Sequence, residues 1–390
     1  MKYRTAGESH GRGILALVEH FPAGLTIDTD LINAELKRRQ GGYGRGGRQK
    51  LETDTVEILT GIWRGTSTSA PITLWIKNSD HRIDTAPDIT RPRPGHADLA
   101  GAIKYGIPIR PILERASARE TAGRVAAGAL AKQILQQHGI TTVGFVKSIG
   151  TFVLPSNDDF SPEELLQRRN ASELYTVFPE KDAELKKMID GIAESGDSVG
   201  GVIEVRVFGV PIGLGSHAQW CDKLDGKLAQ AVMSIQAIKG VEIGLGFAAA
   251  QTLGSAMHDP IGFDPNKTNQ NTSRRGEQHN DGLGFVRKTN NAGGIEGGIS
   301  NGQPIILRAA MKPIPTLLKP LESVDLMTKL PSPAIYERSD VCAVPAASVV
   351  VENVVAWEIA VQVLTDQTEK INTKQTEPGA VAPELPLRAL

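Results

Sequence analysis

Two stretches of this chain repeat one pattern in the same order, and a duplicated unit restricts the possible folds more than any single element does. Residues 14–25 read ILALVEHFPAGL and residues 203–214 read IEVRVFGVPIGL, with Ile14/Ile203, Val18/Val207, Pro22/Pro211, Gly24/Gly213 and Leu25/Leu214 in register. Each alternates as a half-buried strand does. A helical pattern follows each, over 30–40 and over 224–239, the second stopped by Gly240. Hairpin signatures come next. Gly61-Ile62-x-x-Gly65 before Pro71-Ile72-x-Leu74 matches Gly298-Ile299-x-x-Gly302 before Pro304-Ile305-x-Leu307, with a shorter turn in the second copy. Last, Glu114-Arg115-x-Ser117 pairs with Glu337-Arg338-x-Asp340, and a long apolar helix follows each.

Three matches in one order predict two strand–helix–hairpin–helix units, at about 1–140 and 200–366. The class is α+β with an internal pseudo-twofold repeat: helices of both halves packed together, and an antiparallel sheet on each outer side. An insertion fills 141–199 and has a helix start at Ser161-Pro162-Glu163-Glu164, a capping box with proline at the first helical position. Residues 1–366 form a single domain, and the polar, Pro-containing stretch 367–390 reads as a flexible tail.

Charge and cysteine usage narrow the function. A net charge of -1 argues against a bulk polyanion as the main partner, so neither nucleic acid nor a membrane surface is expected, and anion recognition must be local. Cys221 and Cys342 lie far apart with no CxxC spacing, which fits a reduced compartment and no structural metal. The N-terminus lacks the apolar core of a signal peptide. The apolar stretch 342–364 is interrupted by Pro345, Glu352, Asn353 and Glu358, as suits a buried core helix and not a membrane span. A cytoplasmic protein follows.

Several segments carry chemistry. GESHG at 7–11 formally matches a GxSxG nucleophile elbow, but no strand can precede residue 7 and a strand follows, so Ser9 is not read as a nucleophile. What remains is His10 between glycines, in a backbone shaped around a ligand. KRRQGGYGRGGRQK (37–50) makes Arg39, Arg45 and Arg48 candidates for holding phosphate or carboxylate; an RNA-binding Arg-Gly loop is the competing reading. RPRPGHAD (91–98) places His96 in a rigid loop, and two histidines suit proton transfer near neutral pH. Ser117-Ala118-Arg119-Glu120 reads as a second capping box, with Arg115, Arg119 and Arg124 around a helix N-terminus that favours anions. Its counterpart carries Arg338 and Asp340, so both halves are expected to contribute to one composite site. GGIEGGISNG (293–302) precedes a strand, which removes a Rossmann reading, and the polar stretch 264–283 reads as a disordered loop or a lid.

GESHG, RPGHAD, ARETAGRVAAGA, GGISNG and Arg338-Ser339-Asp340, in this order over about 1–365, closely resemble the chorismate synthase family. The resemblance implies a β-α-β sandwich, a homotetramer and an anti-1,4-elimination of phosphate from 5-enolpyruvylshikimate 3-phosphate. The product is chorismate, and the step is the last of the shikimate pathway to aromatic amino acids. It implies reduced FMN as cofactor, with NADPH or a separate flavin reductase as the source of electrons. By the same resemblance His10 protonates the departing phosphate, His96 serves the reduced flavin, and Asp340 relays the C6 proton. FMN contacts would come from Arg115, Ala116, Ser117, Gln236, Ala237, Gly297, Lys312, Pro313, Ile314, Pro315, Thr316 and Arg338. Arg39 and Arg45 match positions linked to NADP in some members, and an arginine there could equally hold substrate. Ala116 and Ile314-Pro315 depart from more hydroxyl-rich family patterns, which leaves contacts there to the backbone. The alternative function is a flavin-binding redox or sensor protein without lyase activity.

Overall fold

From the N-terminus the chain forms β1 (Lys2–Ala6), β2 (Gly13–Glu19), α1 (Thr29–Gln40), β3 (Val56–Thr60), the hairpin β4 (Ile62–Trp63) and β5 (Thr66–Ser67), and β6 (Ile72–Lys77). Three helices follow: α2 (Asp98–Tyr105), α3 (Ile109–Ala116) and α4 (Thr121–Gln137). The remainder runs β7 (Thr141–Ile149), β8 (Phe152–Val153), α5 (Pro162–Ala171), α6 (Asp182–Glu194), β9 (Gly201–Phe208), α7 (Leu224–Met233) and β10 (Ile238–Ile243). Then come α8 (Gly254–Met257), β11 (Ile261–Phe263), β12 (Phe285–Arg287), the hairpin β13 (Ile295–Glu296) and β14 (Ile299–Ser300), β15 (Ile305–Met311), β16 (Glu322–Val324), β17 (Pro331–Pro333) and α9 (Val344–Gln375). The computed structural model describes residues 1–46, 53–156, 159–267, 284–337 and 339–375.

Two antiparallel sheets result, ordered β1-β2-β6-β3 and β10-β15-β9-β7-β8. Their shared order follows from shared register. Ile14, Ala16 and Val18 face Ile76, Leu74 and Ile72, and Ile203, Val205 and Val207 face Ala309, Leu307 and Ile305 at matching positions. All twelve are buried. The loops after β2 and β9 repeat as well. Ser67 Oγ donates to the Pro22 carbonyl and accepts from Leu25 N; Ser300 Oγ does the same with Pro211 and Leu214. These bonds correct the hairpin match. Ser67 aligns with Ser300, so Gly61 pairs with Gly294 and Gly65 with Gly298, and the second copy has no shorter turn.

Helices fill the space between the sheets. α4 packs along α9, with α1 and α7 beside them; α4 also meets β2 and β6, and α9 meets β7 and β9. Nearly every side of α4 is buried, as its Ala-rich sequence allows. Gly128 sets the approach, since a Cβ there would lie 2.4 Å from the Asn353 carbonyl oxygen on α9. Val344–Asp366 is apolar and long enough to cross a membrane, yet 83% of that window is buried inside the structure. Its polar interruptions have partners. Glu352 bonds Arg38, Lys132 and Arg169, and Asn353 donates to Glu35, which ties α1, α4 and α5 to α9. Burial alone would raise the Glu352 carboxyl, but the three cations hold it well below the usual range.

Several local expectations change. β7 lies in the stretch read as an insertion but pairs with β9 along its length, so the added segment begins after it. Within that segment the Ser161 capping box forms as expected. β9 is not half-buried: its second face carries Glu204 and Arg206, both buried, and Glu204 accepts from Arg206 and from Arg308. α7 ends at Met233, and Gly240 sits at a register shift in β10, so a strand occupies the end of the expected helix. Ser117 accepts from Arg119 N and not from Glu120, whose carboxylate instead bonds Thr5, Arg124 and Gln236, so the second capping box does not form. α9 continues to Gln375, beyond residue 366.

Candidate active site

Where the two halves meet, a cavity of about 410 Å³ opens beside the first turns of α9. The first half lines it with Ser9, His10, Arg39, Arg45, Arg93, His96 and the segment from Ala116 to Arg119. The second contributes Gln236, Ala237, Lys312, Ile314, Pro315, Thr316, Glu337 and Asp340. Ser117 from the first and Asp340 from the second thus line one cavity. Arg115, Gly297 and Pro313 do not line it; Arg115 donates to the carbonyls of Thr5 and Gly7. Arg48, Arg338 and most of the 264–283 stretch lie outside the described residues.

The GESHG loop is held by groups far away in sequence. Gly7 has φ +100, and a Cβ there would fall 2.1 Å from the Gly13 carbonyl oxygen, so only glycine closes this turn. Asn78, fully buried at the end of β6, places its Nδ2 3.0, 3.1 and 2.8 Å from the carbonyl oxygens of Glu8, Ser9 and Gly11. Its Oδ1 accepts from Arg119 Nε at 2.8 Å. His10 Nδ1 lies 3.0 and 2.9 Å from the two oxygens of Glu114, and His10 N donates to the same carboxylate at 2.8 Å. Burial pushes the Glu114 carboxyl up, but the hydrogen bonds and charge of His10, with Arg110, bring it below the ordinary carboxylate range. It is ionised at neutral pH.

His96 is braced by Asp98, whose Oδ1 is 2.5 Å from Nδ1. Asp98 has no exposed side-chain surface and also accepts from the backbone and guanidinium of Arg93. Burial opposes its ionisation, and His96 and Arg93 overcome that, holding it far below the usual range. Arg93 reaches Thr316 Oγ1 at 3.2 Å, and Lys312 Nζ donates to the Gly95 carbonyl, so the His96 loop is fastened to the second half.

Cationic groups dominate the cavity. Asp54 lies behind it, 2.7 Å from Arg119 and 3.3 Å from Arg39. Arg39 also donates to Thr121 and the Ala118 carbonyl, and burial with Arg119 and Arg45 nearby lowers it to about 10, so it stays charged. Burial lowers Lys312 too. Asp340 accepts from Gly46 N at 2.7 Å and pairs with Arg45 at 2.7 Å. Arg39 and Arg45 thus point inward and are not offered to a partner from solvent. Two buried polar atoms on the lining, Gln236 Oε1 and Arg45 Nε, have no hydrogen-bond partner among the described residues. Ala237 between them and Lys312 adopts φ +68, an unfavourable backbone for a residue with a side chain, which ligand clamps commonly hold.

Sequence reasoning missed Asn78, Asp54, Arg93, Asp98 and Glu114 as parts of the site. Asp98 left a signal, an acid two positions after His96. Arg93 lies in the same RPRPGHAD segment, five positions before Asp98, whereas Asn78, Asp54 and Glu114 act across large sequence separations.

Residues 1–364 match the family model described as chorismate synthase. A chorismate synthase from Desulforamulus reducens is 53% identical over 377 residues, covering 93% of this chain and 93% of its own. One from Aquifex aeolicus is 51% identical over 380 residues, covering 92% of each. A crystal structure of chorismate synthase superposes with a TM-score of 0.74 at 44% identity, covering 94% of this chain and 92% of that one. Similarity of this extent shows that the chain belongs to the chorismate synthase family of carbon–oxygen lyases.

Proposed function

We propose that this cavity eliminates the 3-phosphate of 5-enolpyruvylshikimate 3-phosphate together with a C6 proton, giving chorismate, with FMN bound in reduced form alongside. The observation carrying the reading is that His10 and Asp340, one from each half, line one cavity rich in arginine. Two carboxylates and a phosphate on the substrate need concentrated positive charge from a nearly neutral protein. Arg45 and Arg119 supply it at the wall. Arg39, held by Thr121, Asp54 and the Ala118 carbonyl, adds its charge at the same wall.

The lining also fits a flavin. Gln236 Oε1 is an unused acceptor for a ring N–H, and Arg45 Nε is an unused donor. Ser117, the Gln236–Ala237 backbone, Lys312 and Thr316 would hold the group. When bound, reduced FMN supplies electron density as the C–O bond breaks. His10 would give a proton from Nε2 to the leaving phosphate, and His96 would donate from its own Nε2 to the flavin. Asp340 would accept the C6 proton; Arg45 and Gly46 orient its two oxygens. The bonds broken are C3–O and C6–H, with no net redox change.

Anaerobic enzyme with fully reduced FMN should release one phosphate per chorismate formed. Flavin binding without phosphate release would sink the lyase reading and leave a flavin-binding redox or sensor protein. We further propose a cytoplasmic enzyme served by an external NADPH-dependent flavin reductase; bleaching of FMN by NADPH and this chain alone would refute the need for one. We also propose a homotetramer; the exposed apolar side chains Phe247, Leu253, Ile261, Phe263 and Phe285 support association between subunits, and light scattering of the eluted protein tests the number.

A further inference from the structure

We propose that Glu114 is a positioning residue that fixes the tautomer of His10, so that only Nε2 exchanges protons with the substrate. This inference rests on the reading of His10 as proton donor. Glu114 sits near the end of α3, a full 104 positions from His10, and holds it by two parts at once. Its carboxylate takes the ring at Nδ1 and the His10 backbone N–H, while the Glu114 carbonyl accepts from Ser9 N at 3.0 Å. An ionised carboxylate only accepts hydrogen bonds, so with its oxygens 2.9 and 3.0 Å away Nδ1 must carry the proton in both charge states of the ring.

Four observations set the surroundings. Glu114 has no exposed side-chain surface, so water does not compete for its oxygens. Arg110, one turn earlier on α3, stands 3.5 Å from Glu114 and also 3.3 Å from Glu337 on the cavity wall. Asp80 lies 3.9 Å from Nε2, is 40% exposed, and is the acid on the opposite side of the ring. Ile83 N donates to the His10 carbonyl, so the backbone cannot turn the ring away from Glu114 cheaply. His96 is a weaker case of the same device, because Arg93 Nη2 stands 3.0 Å from the Nδ1 that Asp98 holds.

Without the carboxylate a neutral imidazole divides its proton between the two nitrogens, and the charged ring loses its counter-ion. Glu114→Gln keeps the size of the side chain and an acceptor oxygen but removes the charge. Selective ¹⁵N-histidine spectra identify His10 by the signal missing in His10→Ala. In wild type the neutral His10 ring should show protonated Nδ1 and bare Nε2; in Glu114→Gln both forms should appear. Turnover should fall at least ~10-fold with KM little changed, and the alkaline limb of the kcat profile should move to lower pH. Glu114→Asp, with charge kept at a shorter reach, should recover part of the turnover and the wild-type limb. If Glu114→Gln leaves the His10 spectrum and the pH profile as in wild type, the positioning role is overturned. Normal turnover in His10→Ala would instead overturn the reading of His10 itself, and the nitrogen spectra would still decide what Glu114 does to the ring.

Discussion

Replacing Asn78 with alanine withdraws the donor that three carbonyls of the GESHG loop share. The carboxamide Nδ2 has two hydrogens for the oxygens of Glu8, Ser9 and Gly11, so at most two full hydrogen bonds are lost there. The loss of the acceptor for Arg119 Nε adds one charge-assisted bond. Each buried carbonyl left alone costs ~1–3 kcal/mol, and a bond to a charged group contributes ~1.5–3 kcal/mol. Water entering the vacated space offsets part of this, which leaves roughly 3–6 kcal/mol. That is a large share of the ~5–15 kcal/mol that holds a folded protein together, yet short of all of it. Asn78→Asp separates the two functions of the side chain. It keeps and strengthens the bond from Arg119 but turns the donor into a second acceptor against the three carbonyls. Both variants should unfold at lower guanidinium concentration than wild type. In both, turnover per folded molecule should fall by ~10²-fold, because a displacement of about 1 Å at a reacting group is enough for that. If Asn78→Asp matched wild type in midpoint and turnover, the loop would be held by something else, and the argument from these bonds would fail.

Two further outcomes follow from named groups. Asp340→Asn keeps an oxygen for Gly46 N but loses the ion pair with Arg45 and the ability to accept a proton, so kcat should drop by at least ~10²-fold; near-normal turnover would remove Asp340 from the chemistry. Glu358 on α9 is pushed up by burial to about 7 despite Lys227 and the N-terminus. The folded state therefore binds a proton that the unfolded chain has released, and stability from this group is lost as pH rises from its ordinary value of about 4.5 towards 7, by up to roughly 3 kcal/mol. Glu358→Gln should raise the thermal midpoint at pH 8 and change it little at pH 4; an unchanged midpoint at pH 8 would contradict that environment.

How much of this was legible depends on the range over which each signal acts. The β2 and β9 copies declare themselves because Pro22, Gly24 and Leu25, like Pro211, Gly213 and Leu214, lie in one loop with their own strand. The hairpin register of the structure differs from the one the glycine spacing predicts, for a definite reason. Gly61 and Gly65, and Gly294, Gly298 and Gly302, recur at four-residue spacing, so Gly-Ile-x-x-Gly alone fits two registers; only the bonds of Ser67 and Ser300 choose between them. Strand β10 is hidden because 224–239 is periodic enough for a helix; α7 ends at Met233, and Ala237 at φ +68 lies in the turn that leads into the strand. The site divides the same way. His10, His96 and Arg45 announce themselves by residue type within glycine-containing segments, and Asp340 by its place after Glu337-Arg338 in the repeated pattern. Asn78 and Glu114 do not, because a buried asparagine at a strand end and a glutamate in an Arg-rich helix are chemically ordinary until the fold brings them to His10. Their effects are nonetheless complementary: Asn78 fastens the backbone of the loop by its carbonyls, and Glu114 fastens the ring and the remaining N–H. A histidine between glycines has no defined direction on its own. Held from both sides, it has its Nδ1 set against a buried carboxylate, which is why a motif of five residues needs two more from 70 and 104 positions away.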